Sequence, residues 1–369
     1  MNAIVIRDKS AVIESDRSVP KLRHDYLLVK VKAVALNPTD WKHIAFELGA
    51  DGSLVGCDFS GIIEQVGPGV TKPFKKGDRI AGVAHGGNAV QIEDGAFAEY
   101  VVAKGDIQMK IPDSLSFEDA STLSLGVTTV MQGLYQKSLK LQLPIEPVKE
   151  KTYVLIYGGS TATGALGIQF AKLSGYTVLT TCSPRNFDYV KSLGAVEAFN
   201  YNDPESPTKI RELTTNRLKL AWDTISEEGS AKFCAYALST ESGCKYGSIL
   251  PVRSPRKDVE SVDTLMYTVF GEPFTFGPSK ILAVPEDFEY CKMFTTLTEK
   301  LLAEGKLRAH TPKVGKRGLQ GVLQELDDMR AGKVSGNKWV YLVDETQSVN
   351  YEKVDSRLSN VPIRDRSQI

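Results

Sequence analysis

The residues best suited to chemistry are the small ones in Gly158-Gly159-Ser160-Thr161-Ala162-Thr163-Gly164. They follow the apolar run Tyr153-Val154-Leu155-Ile156-Tyr157, which reads as a buried parallel strand. They open a helix in which Ala162, Ala165, Leu166, Gln169, Phe170 and Leu173 recur at helical spacing. A strand, a tight turn and a helix N-terminus together form a pyrophosphate site. Backbone N–H groups point outward, the helix dipole favours an anion, and small residues let the phosphate approach. Gly158 and Gly164 keep the spacing of a dinucleotide-binding fingerprint, with Thr161 in its middle position. A purely structural turn uses the same residue types.

The next segment bears on that choice. A second strand, Tyr176 to Thr181, ends in Cys182-Ser183-Pro184-Arg185-Asn186. An NAD site places an acid there for the ribose 2′-hydroxyl. This chain offers a hydroxyl, an arginine and an amide instead, which suits a 2′-phosphate, so the expected cofactor is NADPH. Ser183 as an N-cap with Pro184 at the first helical position explains those two residues equally well, but not the missing acid.

A chain of 369 residues accommodates two domains. Hydrophobic residues at 42% and charged residues at 24% are the balance of a globular protein. A formal net charge of zero removes the basic face that nucleic-acid binding requires. No apolar run reaches the roughly 18 residues of a membrane span, and Met1-Asn2-Ala3-Ile4-Val5 has no signal-peptide pattern, so a cytoplasmic location is expected. Cys57, Cys182, Cys234, Cys244 and Cys291 are scattered and odd in number, which points to free thiols. His24, His43, His85 and His310 lie too far apart to suggest a three-ligand zinc site, and no metal is expected.

These residues need a scaffold, and the pattern supplies one. Residues 1–126 alternate in short apolar runs such as Leu27 to Ala35 and Gly61 to Val66, separated by turns at Gly67-Pro68-Gly69 and Lys76-Gly77-Asp78, as in a small β-barrel. Residues 127–290 alternate strand and helix, as in a doubly wound parallel α/β sheet of the Rossmann type. Within them, residues 251–285 read as an irregular loop, whose aromatics suit a lid or a pocket wall. Helices Glu286 to Glu304 and Leu319 to Arg330 and a strand Lys338 to Val343 return to the barrel, which residues 291–345 complete. Residues 346–369 form a polar tail.

Barrel, nucleotide fold and return to the barrel is the plan of the medium-chain dehydrogenase/reductases. Ala35-Leu36-Asn37-Pro38-Thr39-Asp40, Val55-Gly56-Cys57-Asp58-Phe59-Ser60-Gly61, Gly95-Ala96-Phe97-Ala98-Glu99-Tyr100 and Asn337-Lys338-Trp339-Val340 resemble that superfamily's segments. The resemblance implies a GroES-like catalytic barrel beside the Rossmann domain. Asn37 and Cys57-Asp58 stand where the zinc enzymes carry metal ligands, so the chain is similar to the zinc-independent branch. More narrowly, Tyr157 to Thr163, Thr181-Cys182-Ser183-Pro184 with Asn186-Phe187-Asp188, and Phe270-Gly271-Glu272 resemble the fungal trans-acting enoyl reductases. That resemblance implies NADPH-dependent reduction of an α,β-unsaturated thioester in a polyketide chain tethered to the acyl carrier of a partner synthase. A free-standing quinone or enone reductase shares the hydride chemistry and stays open. So does a scaffold protein that has lost turnover.

The resemblance also implies site residues. NADPH contacts fall on Thr39, Asp40, Trp41 and Lys42; on Ser160, Thr161, Ala162 and Thr163; on Ser183, Pro184, Arg185, Asn186 and Tyr201; and on Ile249, Leu250, Val340 and Tyr341. Substrate contacts fall on Thr128, Thr129, Val130 and Met131, and on Thr268, Val269, Phe270, Gly271 and Glu272. Lys42 is the candidate to stabilise the enolate or help deliver a proton, and Thr129 the second catalytic candidate. Thr128 and Thr129 open a helix after Gly126, where either hydroxyl serves as an N-cap or faces the nicotinamide. The aromatics from Phe270 to Phe276 line an acyl tunnel or form a small core beneath the loop. Relatives pair through nucleotide-domain edge strands; the segment after Leu250 covers that edge, so a monomer is expected. Arg185→Glu is expected to raise the KM for NADPH far more than that for NADH in steady-state assays; equal rises would refute a 2′-phosphate contact.

Overall fold

The computed structural model describes residues 1–333 and 336–347. The polar tail expected after residue 346 lies almost entirely outside the described residues. Two sheets carry the architecture. The first is seven-stranded and gathers the barrel: Pro312–Val314, Lys338–Leu342, Tyr26–Ala35, Asp58–Val66, Arg79–Val83 and Met109–Lys110 in spatial order, with Tyr100–Lys104 also paired to Tyr26–Ala35. Leu27, Val29 and Val31 alternate into the barrel core with Ile63, Ile80 and Phe97, while Lys30 and Lys32 between them are only half-buried.

The second sheet is parallel and six-stranded, in the spatial order Glu197–Asn200, Thr177–Cys182, Tyr153–Tyr157, Leu220–Asp223, Lys245–Ser248, Glu260–Asp263. Along Tyr153–Tyr157, Val154 and Ile156 enter one hydrophobic cluster, whereas Tyr153, Leu155 and Tyr157 enter another. Both faces are therefore covered, and the strand reads as a continuous apolar run instead of an alternating one. Strand order reverses between Tyr153–Tyr157 and Leu220–Asp223, which opens a crevice at their carboxyl ends.

The segment after Leu250 is more ordered than its composition suggests. Glu260–Asp263 extends the parallel sheet by one strand, Met266–Phe270 forms a 3-10 turn, and Phe274–Phe276 pairs with Ser279–Ile281 as a hairpin. Backbone pairing to Lys245–Ser248, a long-range term invisible to local propensity, organises it. The expected lobe boundaries are also less sharp. Helix Ser124–Val130 runs across position 126, and helix Pro285–Ala303 runs across position 290, its Phe294 packing on Tyr135 and Phe170 of the nucleotide lobe. No helix among the described residues is long and apolar enough to cross a membrane.

A buried ion pair ties these parts together. Lys338 on the last barrel strand meets Asp58 at the start of Asp58–Val66, with the side chains 4% and 0% exposed. Removing one partner of such a pair leaves an uncompensated charge in an apolar interior, at a cost of about 3–5 kcal/mol. Lys338→Met is expected to lower the urea midpoint accordingly, and adding Asp58→Asn to recover part of the loss; an unchanged midpoint would contradict this role.

Candidate active site

The glycine-rich turn sits at the crevice between the two central strands. Gly158 has φ +83°, and a Cβ there would lie 2.6 Å from Thr224 Oγ1. A Cβ on Gly164 would lie 2.3 Å from the Gly158 carbonyl oxygen, so the backbones touch only without side chains. Thr161 caps helix Ala162–Leu173: its Oγ1 accepts the Gly164 N–H at 2.9 Å and lies 3.1 Å from Thr224 Oγ1. That hydroxyl accepts at the helix start and the Thr161 N–H donates to the Gly158 carbonyl at 2.9 Å, so the fingerprint's middle position acts as a cap. The N–H groups of Ser160, Ala162 and Thr163 donate to no acceptor among the described residues. Half-buried N–H groups at a helix start fit a phosphate.

The end of Thr177–Cys182 keeps its polar groups available. Ser183 does not cap the following 3-10 turn; its Oγ lies 3.2 Å from the hydroxyl of exposed Tyr201. Pro184 and Arg185 are exposed, and the Arg185 guanidinium has no ion pair or hydrogen bond among the described residues. Asn186 keeps a buried side-chain nitrogen without a hydrogen-bond partner. Ile249 and Leu250 are half-buried where Lys245–Ser248 ends, and the Ile249 N–H donates to Ser226 Oγ at 2.9 Å. The turn before them is set by buried Asp223, which accepts from the N–H groups of Ile225 and Ser226 at 2.9 Å and from the Tyr246 hydroxyl at 2.7 Å. Its role is structural, as a hub of hydrogen bonds.

Helix Pro38–Ala45 carries the second group of candidates from the barrel side. Asp40 Oδ2 accepts the Asn37 N–H at 2.6 Å, closing the helix start. Its carboxyl is 2% exposed and its other oxygen has no partner; burial pushes its pKa up to about 7. A side-chain contact between Asp40 and a cofactor is therefore closed, a correction to the sequence expectation. Lys42 is half-buried, and its ammonium makes no hydrogen bond or salt bridge among the described residues. Burial lowers its pKa, against the opposing charge of Glu227 at the start of helix Glu228–Ala237 in the other lobe. Trp41 is half-buried against the barrel core and lies 5.9 Å from the Phe46 ring. Thr39 Oγ1 is 2.7 Å from the Tyr267 hydroxyl, which lies 3.6 Å from Cys57 Sγ. Asp58 accepts from Asn37 Nδ2 at 2.9 Å and from the Leu125 N–H at 2.7 Å, besides Lys338. Hydrogen bonds thus occupy the polar groups at the positions that hold metal in the zinc enzymes.

Several expected substrate contacts are instead internal. Thr128 and Thr129 lie near the end of helix Ser124–Val130, not at its start, and both hydroxyls donate to the Leu125 carbonyl, at 2.9 and 2.7 Å. Thr128, Val130 and Met131 are buried; only Thr129 keeps a half-exposed face. Thr268 is held by Asp287 and by Gln132 Nε2 at 2.9 Å, while Val269 and Phe270 are buried. Gly271 ends the 3-10 turn at φ +66°. Glu272 binds the Tyr26 hydroxyl at 2.8 Å and Lys104 at 2.7 Å, pinning the segment to the barrel. Val340 and Tyr341 are 0% and 2% exposed, and both are paired into the barrel sheet against Ala35 and Val34. In each case packing of the connecting segment or the last strand claims the side chain.

The aromatics resolve as a small core. His85 stacks on Tyr267 with centroids 4.3 Å apart and on Phe270 at 5.5 Å, with the Phe274 edge 4.9 Å away. His43 sits beside Tyr267 and Phe276. Burial pushes His43 down to about 4 and His85 well below its ordinary value, so both imidazoles are neutral at pH 7. Sequence reasoning missed Tyr267, His43, His85 and Thr224, because each sits in a locally unremarkable context and acquires its role through residues distant in the chain.

The alcohol dehydrogenase GroES-like domain model matches residues 23–113. The chain is 48% identical over 349 residues to trans-enoyl reductase resD of Aspergillus sclerotiorum, covering 90% of this chain and 97% of the relative. It is 57% identical over 265 residues to trans-enoyl reductase TOXD of Cochliobolus carbonum, covering 72% and 88%. It is 45% identical to trans-enoyl reductase ACTTS2 of Alternaria alternata, covering 93% and 98%. Among solved structures, CurK enoyl reductase superposes with a TM-score of 0.70 at 18% identity, over 92% of this chain and 98% of that one. A mycobacterial protein complexed with NADPH superposes with a TM-score of 0.70 at 20% identity, over 93% and 100%.

Asp40 yields a pH prediction. Its ordinary value is 3.8, and the folded chain raises it to about 7, so the folded state binds the proton more tightly and stability falls as pH rises through that window. Asp40→Asn keeps an oxygen for the Asn37 N–H and removes the titration. Between pH 4.5 and pH 8 the variant is expected to gain on the order of 3 kcal/mol relative to wild type in denaturant titrations. A pH-independent difference would contradict this.

Proposed function

The chain belongs to the trans-enoyl reductase family, and from that premise we propose that it reduces the α,β-unsaturated thioester of a polyketide chain carried on a partner synthase, with NADPH as reductant. The reading rests chiefly on 48% identity to a named trans-enoyl reductase along 97% of that relative's length. The turn geometry supports a dinucleotide. Open N–H groups at Ser160, Ala162 and Thr163 suit a pyrophosphate, and the hydroxyls of Ser183 and Tyr201 with the Arg185 guanidinium suit a 2′-phosphate in chemistry.

When bound, NADPH supplies a hydride from C4 of its nicotinamide to the β-carbon of the substrate. Negative charge then develops on the thioester oxygen. Lys42 is the side chain suited to meet it, since its ammonium is half-buried and has no internal salt bridge among the described residues. Partial burial strengthens that interaction, because less water screens it. Thr129 has a different use. Its hydroxyl proton already goes to the Leu125 carbonyl at 2.7 Å, so it offers only lone pairs to the cleft. It suits an amide N–H donor, such as a carboxamide, and not an oxyanion.

The purified chain with NADPH is expected to reduce enoyl-pantetheine or enoyl-carrier thioesters in preference to simple quinones; a preference for quinones would favour a free-standing reductase. Lys42→Met is expected to lower turnover on the thioester about tenfold to a thousandfold with saturating cofactor, the range for one stabilising donor. Near-normal turnover would remove Lys42 from the mechanism.

A further inference from the structure

Reduction of an enoyl thioester needs a proton at the α-carbon as well as a hydride, and a second group of side chains beside Lys42 is built to carry one. Thr39 lies one turn before Lys42 on helix Pro38–Ala45 and is half-buried. Its Oγ1 is 2.7 Å from the hydroxyl of Tyr267, which comes from the 3-10 turn Met266–Phe270 of the other lobe. Tyr267 is 3% exposed, and its hydroxyl has only Thr39 Oγ1 and, at 3.6 Å, Cys57 Sγ as hydrogen-bond partners among the described residues.

The neighbouring imidazole constrains where the protons point. His43 Nδ1 lies 2.9 Å from the Thr39 carbonyl oxygen, a pure acceptor, so Nδ1 carries the ring proton. It cannot then accept the Thr39 hydroxyl proton, although it is 3.2 Å from Thr39 Oγ1. Two arrangements remain: Tyr267 donates to Thr39, which is then free to donate outward, or Thr39 donates to Tyr267, whose own proton then goes to Cys57 Sγ; a proton path through Thr39 uses the first. Stacking on His85 and the edges of His43 and Phe276 hold the phenol in place. Burial keeps that phenol protonated far above neutrality, as a group that passes a proton on must be.

We propose that Thr39 delivers the α-carbon proton in the reaction proposed above, with Tyr267 as the positioning residue that replaces it. The inference rests on that reading of the function. In the step, the electron pair of the enolate takes the Thr39 hydroxyl proton to form the new Cα–H bond. The Tyr267 O–H bond breaks as the Thr39 O–H bond re-forms, so negative charge passes from enolate to phenolate. After product leaves, solvent returns a proton to Tyr267 through Thr39. This divides the labour, with Lys42 holding charge on the thioester oxygen and Thr39 serving the carbon.

The test uses the full chain with NADPH and crotonyl-pantetheine. Tyr267→Phe and Thr39→Val are each expected to lower turnover about tenfold to a thousandfold. The double variant is expected to be no slower than the worse single one, because both act on one path. Thr39→Ser is expected to restore most of what Thr39→Val loses. In heavy water, wild type is expected to place deuterium on one face of the α-carbon and Tyr267→Phe on both, with NADPH affinity by fluorescence within about twofold of wild type. The affinity reading separates a lost proton path from a collapsed site, and a melting curve shows whether each variant is folded. Should Tyr267→Phe fail to fold, Thr39→Val against Thr39→Ser decides the matter. Wild-type turnover with single-faced deuterium in Tyr267→Phe or Thr39→Val would overturn the proposal while leaving the reductase reading intact. A wild-type chain that reduces no enoyl thioester would overturn both.

Discussion

One buried carboxylate sets the geometry of the cleft. Asp58 is fully buried and takes hydrogen bonds from the Asn37 amide and the Leu125 N–H, and an ion pair from Lys338. Those partners stand at the start of the helix that carries Thr39 and Lys42, on the helix that carries Thr129, and on the last barrel strand. A charge in apolar surroundings is stable only when its partners are close and well aligned, so each of the three elements is placed relative to the same group. Asp58 thus gathers three elements through three donors, the Asn37 amide, the Leu125 N–H and the Lys338 ammonium.

The lobes are joined at the cleft by the segment after Leu250. Glu272 reaches Lys104 and Tyr26 in the barrel, Thr268 reaches Asp287 on the following helix, and Tyr267 reaches Thr39. These contacts engage the segment's polar residues with both the barrel and the helix that follows.

Much of this was legible in the amino-acid order, and the residues show why. The strand, turn and helix at Tyr153–Leu173 declared themselves because a both-face-buried strand, a positive-φ glycine and a helical apolar stripe are each local signals. Half-buried Ser183 and the exposed Arg185 and Tyr201 were readable for the same reason. What stayed hidden depends on distant pairing. Glu260–Asp263 is a strand only because Lys245–Ser248 lies beside it. Asp40 turns inward to its own helix start, and Val340 and Tyr341 are drawn into the barrel by Ala35 and Val34. Nothing near Tyr267 in the chain announces that its hydroxyl meets Thr39 across two lobes.

The destination of the reducing equivalent is the most direct measurement of the proposed chemistry. NADPH deuterated at C4 of the nicotinamide, mixed with the chain and an enoyl-pantetheine thioester, should give a saturated thioester that carries one deuterium, on the β-carbon. Unreduced thioester alongside bound NADPH, or deuterium on any other atom, would contradict it.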